Sequence, residues 1–358
     1  MNMINYLEYY GDYTFKDKPF NEIDNIIFSY LSYVNFVDII SENKKNKLTL
    51  DEVVDKYFSS HTKKEDRLNI LAVRQGIKLL RHIKGVKRFK DILVYNYEYI
   101  GSDSSQFSAM TFEINEDLVY VAFEGTDQLI SGWKENCKMA YMFPVEAHKY
   151  AIKYLNRNFT FNNKNIIVGG HSKGGNLALV SSMYSNFLVR RKIVCIYSND
   201  GQGLRKAQIT SKNYERIKDR FYHIISQNCI VGLLLRHDKN SIVVKADRKG
   251  FMAHDSMSWQ VEYDHFKRDT LSKFSEVLDR GVIKWLDKYD DVKREKFVDS
   301  VFVILEENNI TSLLQLKKEI NLIFKVIKSS TTIDPMVKEM LKDLFKVLLE
   351  TNKEYLWF

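Results

Sequence analysis

The chain is poor in cysteine: 358 residues carry only Cys137, Cys195 and Cys229. Their number is odd and they show no Cys-x-x-Cys or His/Cys spacing, so neither a disulfide framework nor a zinc site is expected. No segment approaches the ~20 uninterrupted apolar residues of a membrane span. The start, MNMINYLEYYGDYTF, carries tyrosines and acids where a secretory leader has a basic start and an apolar run. Together these shortages predict a protein of a reducing compartment, the cytoplasm. Internal repeats and low-complexity linkers are also missing. What is present is core material, with 45% hydrophobic and 28% charged residues, the composition of a globular chain. The net charge of +8 permits peripheral contact with an anionic membrane surface. The basic residues are scattered, however, and read as solvated surface, so no nucleic-acid partner is expected.

Three regions are legible. Residues 1–90 read as mostly helical: Ile23, Ile26, Ile27, Tyr30, Leu31, Phe36 and Ile39 recur at helical spacing after Asn21, a suitable N-cap, and a second helix is expected over 67–83. Residues 91–268 change period. Segments 91–100, 106–114 and 118–123 are rich in aromatic and β-branched residues, with Asn115 to Asp117 as a turn, and predict an antiparallel hairpin entering a larger sheet. Strands at 166–168, 192–198, 221–226 and 241–246 then alternate with helical stretches, which predicts a mainly parallel sheet with helices on both faces. The segment 128–145 reads as an amphipathic helix packed on the sheet, or as an apolar flap over a site. Residues 269–358 are helical again, over 274–289, 294–305, 312–328 and 335–350, the last opened by Asp334 and Pro335.

The chemistry gathers at Ile166 to Val180, IIVGGHSKGGNLALV. Gly170, His171, Ser172, Lys173 and Gly174 match G-x-S-x-G between a β-branched strand and a helical pattern. In that context the glycines let the backbone turn tightly and expose the serine oxygen. A serine becomes nucleophilic when a base takes its proton and a carboxylate orients that base. The order serine, acid, histidine selects His254, which follows the strand at 241–246, over His171, whose side chain is expected to leave the elbow on another course. His223 within a strand, His265 in an expected helix and His237 are weaker rivals. The acid is Asp200, at the end of strand 192–198, or Asp238; Asp255 is too close to His254 in sequence to orient its ring. Asn199-Asp200-Gly201 is equally a turn signal. The oxyanion donors are expected from the backbone N–H of Lys173 and of Thr126, in the loop Glu124-Gly125-Thr126-Asp127. With backbone donors, the Lys173 charge has no catalytic task.

AFEGTD at 122–127, GWKEN at 132–136, GGHSKGGNLA at 169–178, SNDGQG at 198–203 and HDSMSW at 254–259 together resemble a bacterial branch, of unassigned substrate, of the class 3 lipase-like α/β-hydrolases. The resemblance spans about residues 1–262. It implies an α/β-hydrolase fold, Ser172 as nucleophile, His254 as base, and Thr126 with Lys173 at the oxyanion hole. Two features depart from the class. Glu124 stands where these lipases usually carry arginine, and Asn228, Cys229, Ile230 and Val231 occupy the segment that usually supplies the acid as Asp-x-Val.

The expected protein is therefore an α/β-hydrolase with helical additions that cleaves a small-molecule or lipid acyl ester through an acyl-enzyme on Ser172, needing no metal or organic cofactor. Trp133 and Met139, in the apolar stretch before Phe143, are the candidate acyl-binding residues. The alternative from another class is a catalytically silent hydrolase-like scaffold that binds a protein or an anionic surface through its helical tail.

Overall fold

The computed structural model describes residues 1–43, 45–62, 69–101, 105–126, 130–238, 241–310, 315 and 333–350. Its helices are α1 (Met3–Tyr10), α2 (Glu22–Leu31), α3 (Leu50–Ser60), α4 (Leu71–Ile83), α5 (Ile130–Lys138), α6 (Glu146–Phe159), α7 (Lys173–Tyr184), α8 (Lys273–Lys288), α9 (Asp291–Glu307) and α10 (Pro335–Glu350), besides several single turns. Apart from residue 315, the expected helix over 312–328 lies outside the described residues, as do Asp127, Gln128 and Leu129.

Eight strands form the central sheet: β1 (Leu48–Thr49), β2 (Leu93–Gly101), β3 (Gln106–Asn115), β4 (Leu118–Phe123), β5 (Asn165–His171), β6 (Ile193–Asn199), β7 (Phe221–Ser226) and β8 (Ile242–Val244). Their spatial order is their chain order. β1 to β4 pair antiparallel, with Asn115 opposite Leu118 across a tight hairpin. From β4 to β8 every pairing is parallel.

Chain order in a parallel sheet has a steric consequence. Crossovers between parallel strands are right-handed, so connections that always step the same way place their helices on one face. Side chains alternate along each strand. Val119, Val121 and Phe123 of β4 accordingly pack with Ala147, Ala151 and Leu155 of α6 and Leu177 and Val180 of α7. Tyr120 and Ala122 point to the opposite face, where the crossover helices do not reach and α1 to α4 supply the cover. Helices thus cover both faces as expected, the crossovers supplying one and the N-terminal helices the other. The first 90 residues also contribute the edge strand β1, whose Leu48 and Thr49 pair with Val94 and Leu93.

α2 is buried from Ile23 to Leu31. Asn21 caps it reciprocally: its side chain accepts from Asp24 N at 3.2 Å, while Asp24 Oδ2 accepts from Asn21 N at 3.0 Å. The Asp24 carboxylate also receives Arg88 Nε at 2.9 Å, Arg88 Nη2 at 2.6 Å and the Tyr6 hydroxyl at 2.8 Å. Both charged side chains are fully buried, so α1, α2 and the segment before β2 meet at one carboxylate.

The C-terminal helices form a separate layer. Phe274, Leu278 and Trp285 of α8, Phe297 and Phe302 of α9, and Val337 and Met340 of α10 share a cluster with Met139, Tyr141 and Val145 from the segment between α5 and α6. α5 and its following turn therefore pack against the C-terminal helices rather than on the sheet. Among the described residues no helix is long and apolar enough to cross a membrane.

Removing one partner of a buried ion pair strands the other charge, at a cost of about 3–5 kcal/mol. Arg88→Met is expected to lower unfolding stability by about that much in urea titrations. Pairing it with Asp24→Asn should recover part of the loss.

Candidate active site

β5 ends at His171 and α7 begins at Lys173, so the chain reverses within Ser172, whose φ of 58° and ψ of −129° are strained for a residue with a side chain. Close packing enforces the turn. A Cβ on Gly170 would stand 2.4 Å from Gly174 C, and one on Gly174 would stand 2.1 Å from Phe123 O. Ser172 N donates to Asn199 O at 2.9 Å and Ser172 O accepts from Gly175 N at 2.9 Å, so β6 and α7 hold the serine from either side. Among the described residues, no hydrogen bond engages its hydroxyl.

The loop after β8 carries the histidine. His254 ends a short 3-10 turn, Gly250–His254, and its Nδ1–H donates to Asp200 Oδ2 at 2.6 Å. Asp200 lies at the end of β6 with φ 50°, a left-handed turn conformation, and is fully buried. Its other oxygen accepts from the Cys229 thiol at 2.7 Å and from Gly232 N at 3.2 Å. Burial alone would raise the Asp200 carboxyl; the His254 ring and the hydrogen bonds from His254 and Cys229 outweigh it and hold the group below its ordinary value. The same burial, with the Asp200 charge, pushes the Cys229 thiol well above its usual range and keeps it a donor. The segment from which the class usually draws its acid thus contributes a thiol that orients an acid from another loop.

The rivals go elsewhere. Asp238 accepts from the Tyr214 hydroxyl at 3.3 Å. The Asp255 carboxylate receives Tyr30 OH at 3.0 Å, Gln75 Nε2 at 3.1 Å and Arg248 Nη1 at 3.2 Å. His223 bonds Ser241 Oγ and Gly201 O, and His237 Nε2 lies 3.7 Å from Asp279; His265, expected in a helix, instead stands on the two-residue strand His265–Phe266, paired with Val261–Glu262, and bonds its neighbour Asp264.

His171 is held by partners other than the serine. Its side chain turns beneath the histidine loop, and its Nε2–H donates to His254 O at 2.8 Å. A carbonyl accepts only, so Nδ1 is the unprotonated nitrogen and accepts from Tyr33 OH at 2.9 Å. The ring stacks on Tyr30 at 5.2 Å and lies 4.5 Å from the His254 ring. Burial, helped by the His254 charge, lowers its pKa to about 3.

α5 meets the elbow and the Thr126 loop through two consecutive residues. Glu135 Oε2 accepts from Lys173 Nζ at 2.7 Å, with both side chains almost wholly buried, and the ammonium also donates to Gln106 O at 2.7 Å. Glu135 Oε1 accepts from Ser105 Oγ at 2.9 Å and from Ala147 N at 3.1 Å. Asn136 Nδ2 donates to Thr126 Oγ1 at 2.8 Å. The Lys173 charge, for which no catalytic task was expected, is thus committed to a buried pair, and nothing local in the sequence announced Glu135 as its partner. Glu124, in the position of the class arginine, is buried and accepts from Gln106 Nε2 at 3.4 Å. Trp133 on α5 lies 6.0 Å from Phe251, whose ring is 6.1 Å from His254. Met139 is 2% exposed within the C-terminal cluster, against which Trp133 also packs.

The chain belongs to the Mbeg1-like family, whose model matches residues 83–303. Among solved structures, the crystal structure of M37 lipase is similar over 58% of this chain and 68% of that one, at 16% identity and a TM-score of 0.33. No curated protein matches the chain. The sheet, with its strand-to-helix elbow at Ser172, has the α/β-hydrolase architecture.

Three buried histidines favour the neutral form. Burial lowers His171 to about 3, His148, bonded to Asn176, to about 4, and His223 to about 4. In the unfolded chain each protonates near pH ~6.5, so their contribution to stability is full above that pH and is lost as pH falls toward ~4. Urea titrations from pH 7 to 5 should show stability falling with acid, by about 1.4 kcal/mol per pH unit for each proton taken up on unfolding. His171→Gln should make the slope shallower by about one proton.

Proposed function

We propose that this Mbeg1-like chain is a serine hydrolase of the class 3 lipase-like branch, cleaving a carboxylic ester through an acyl-enzyme on Ser172. The observation that carries the reading is the 2.6 Å bond from His254 Nδ1 to the fully buried Asp200 carboxylate, beside a serine held at positive φ on a strand-to-helix elbow. With Nδ1–H committed to Asp200, His254 Nε2 is the nitrogen left to take a proton. In this mechanism Ser172 Oγ attacks the acyl carbonyl as His254 removes its proton. Asp200 stabilises the imidazolium, which then protonates the leaving alkoxide. Water resolves the acyl-enzyme by the same exchange in reverse. The backbone N–H groups of Lys173 and Thr126 receive the oxyanion; α5 supports both, through Glu135 on the Lys173 side chain and Asn136 on the Thr126 hydroxyl.

An apolar acyl group fits the aromatic row of Trp133 and Phe251 beside His254. Met139 serves this reading only indirectly, by anchoring the turn after α5 in the C-terminal layer.

Labelling with a fluorophosphonate probe tests the mechanism. Wild type should label, and Ser172→Ala and His254→Ala should not, with circular dichroism unchanged. Asp200→Asn should cut ester turnover by roughly 10³–10⁴-fold. A folded wild type that neither labels nor hydrolyses short p-nitrophenyl esters would overturn the reading. Trp133→Ala should raise KM for long-chain esters more than for short ones, and equal effects on both would remove Trp133 from the acyl site.

A further inference from the structure

At the end of the molecule opposite the elbow, two turns expose apolar side chains. Phe161, just after α6, is 95% exposed; Phe187 and Leu188, in a single helical turn after α7, are 61% and 47% exposed. Their side chains stand in solvent, yet the backbone beneath is fixed. Asn186 Nδ2 donates to Thr160 Oγ1 at 2.7 Å and Asn186 N donates to Asn156 Oδ1 at 2.9 Å, which joins the two turns. Lys192 Nζ closes over the first, donating to the carbonyls of Phe159, Thr160 and Asn162.

Around these turns the fold collects charge of one sign. Arg190, Arg191 and Lys192 are consecutive, and Arg216 and Arg220 arrive from the segment before β7. Arg220 Nη1 donates to Arg190 O at 3.1 Å and its Nη2 to Arg216 O at 2.7 Å, so the two segments are in contact. Arg190 Nη1 donates to Ser185 O at 2.8 Å and Arg216 Nη1 to Asn213 Oδ1 at 3.1 Å, all neutral acceptors. Arg191 lies over the Phe187 ring, 5.3 Å from its centroid. Among the described residues none of these five cations has an ion-pair partner. Of the acids beside them, Glu215 is taken by Lys218 at 2.9 Å, and Asp219 leaves a clear positive excess. Packed together, the cations repel: burial lowers the Arg190 pKa, and Arg216 and Arg220 lower it further. Five of the chain's 54 basic residues, drawn from two separate segments, converge here.

We propose that this edge docks on an anionic lipid surface, with Phe161, Phe187 and Leu188 entering the headgroup region and the arginine cluster facing acidic headgroups. Separate protruding apolar tips ringed by cations suit a fluid, negatively charged interface. Docking leaves the candidate active site free. Phe161 precedes the start of β5 and Ser172 follows its end, a strand of seven residues spanning roughly 20 Å. The bound protein therefore presents its elbow away from the surface.

Co-sedimentation of the full chain with phosphatidylcholine vesicles, with and without phosphatidylserine, tests the proposal. Wild type should pellet with the anionic vesicles, stay in solution with the neutral ones, and be released as salt is raised to ~0.5 M. Phe187→Ser with Leu188→Ser, and separately Arg191→Glu with Arg216→Glu, should each reduce the bound fraction about tenfold or more without altering circular dichroism. Wild type that stays in solution with anionic vesicles would overturn the proposal in favour of an acidic protein partner. Undiminished binding by both variants would overturn it as well.

Discussion

A sheet whose strands lie in chain order is the constraint from which the rest of the architecture follows. Its crossovers lie on one face, and the other must be covered by chain that belongs to no crossover. The N-terminal helices meet that need and also become part of the candidate site. Tyr30 receives Ser256 N and donates to Asp255, and Tyr33 donates to His171, which in turn holds the His254 carbonyl. α2 lies outside the stretch matched by the family model, yet its side chains and those of the turn after it support the histidine loop. The helical start of the chain is therefore structural support for the candidate site rather than an appendage.

Local chemistry was legible in the sequence where it is encoded by neighbours. Gly170 to Gly174 could be read as an elbow because a tight turn needs its glycines next to the serine, and Asn21 as a cap because a cap bonds residues two and three ahead. The places of the longer strands followed from β-branched and aromatic runs, since packing on a pleated surface selects those residues, whereas the edge strand Leu48–Thr49 was not foreseen. Long-range pairings left no such trace. Glu135 finds Lys173 across 38 positions and Cys229 finds Asp200 across 29, and neither pair has a sequence period of its own. The partners of His171 stand at positions 33 and 254, likewise far from it in the chain. The packing of α5 on the C-terminal helices was hidden for the same reason: its apolar residues declare that they are buried, without naming the surface that buries them.

The buried acid shows how one constraint recruits others. A carboxylate withdrawn from water is stable only when its oxygens are occupied. Asp200 meets that requirement with a ring N–H, a thiol and a backbone N–H from three different positions. Each donor fixes the loop that carries it, so satisfying one charge also sets the spacing of the β6, β7 and β8 loops around the elbow. Gly232 fits because a Cβ there would stand 2.6 Å from Asp200 Oδ1.

The Lys173–Glu135 pair limits which substitutions the elbow tolerates. A lysine one residue after the serine, buried against a glutamate on α5, cannot drift to a neutral residue without stranding a carboxylate in the interior, and the glutamate is bound in the same way. Positions 135 and 173 are thus coupled in stability: a neutral residue at either one leaves the charge at the other buried without its counterion.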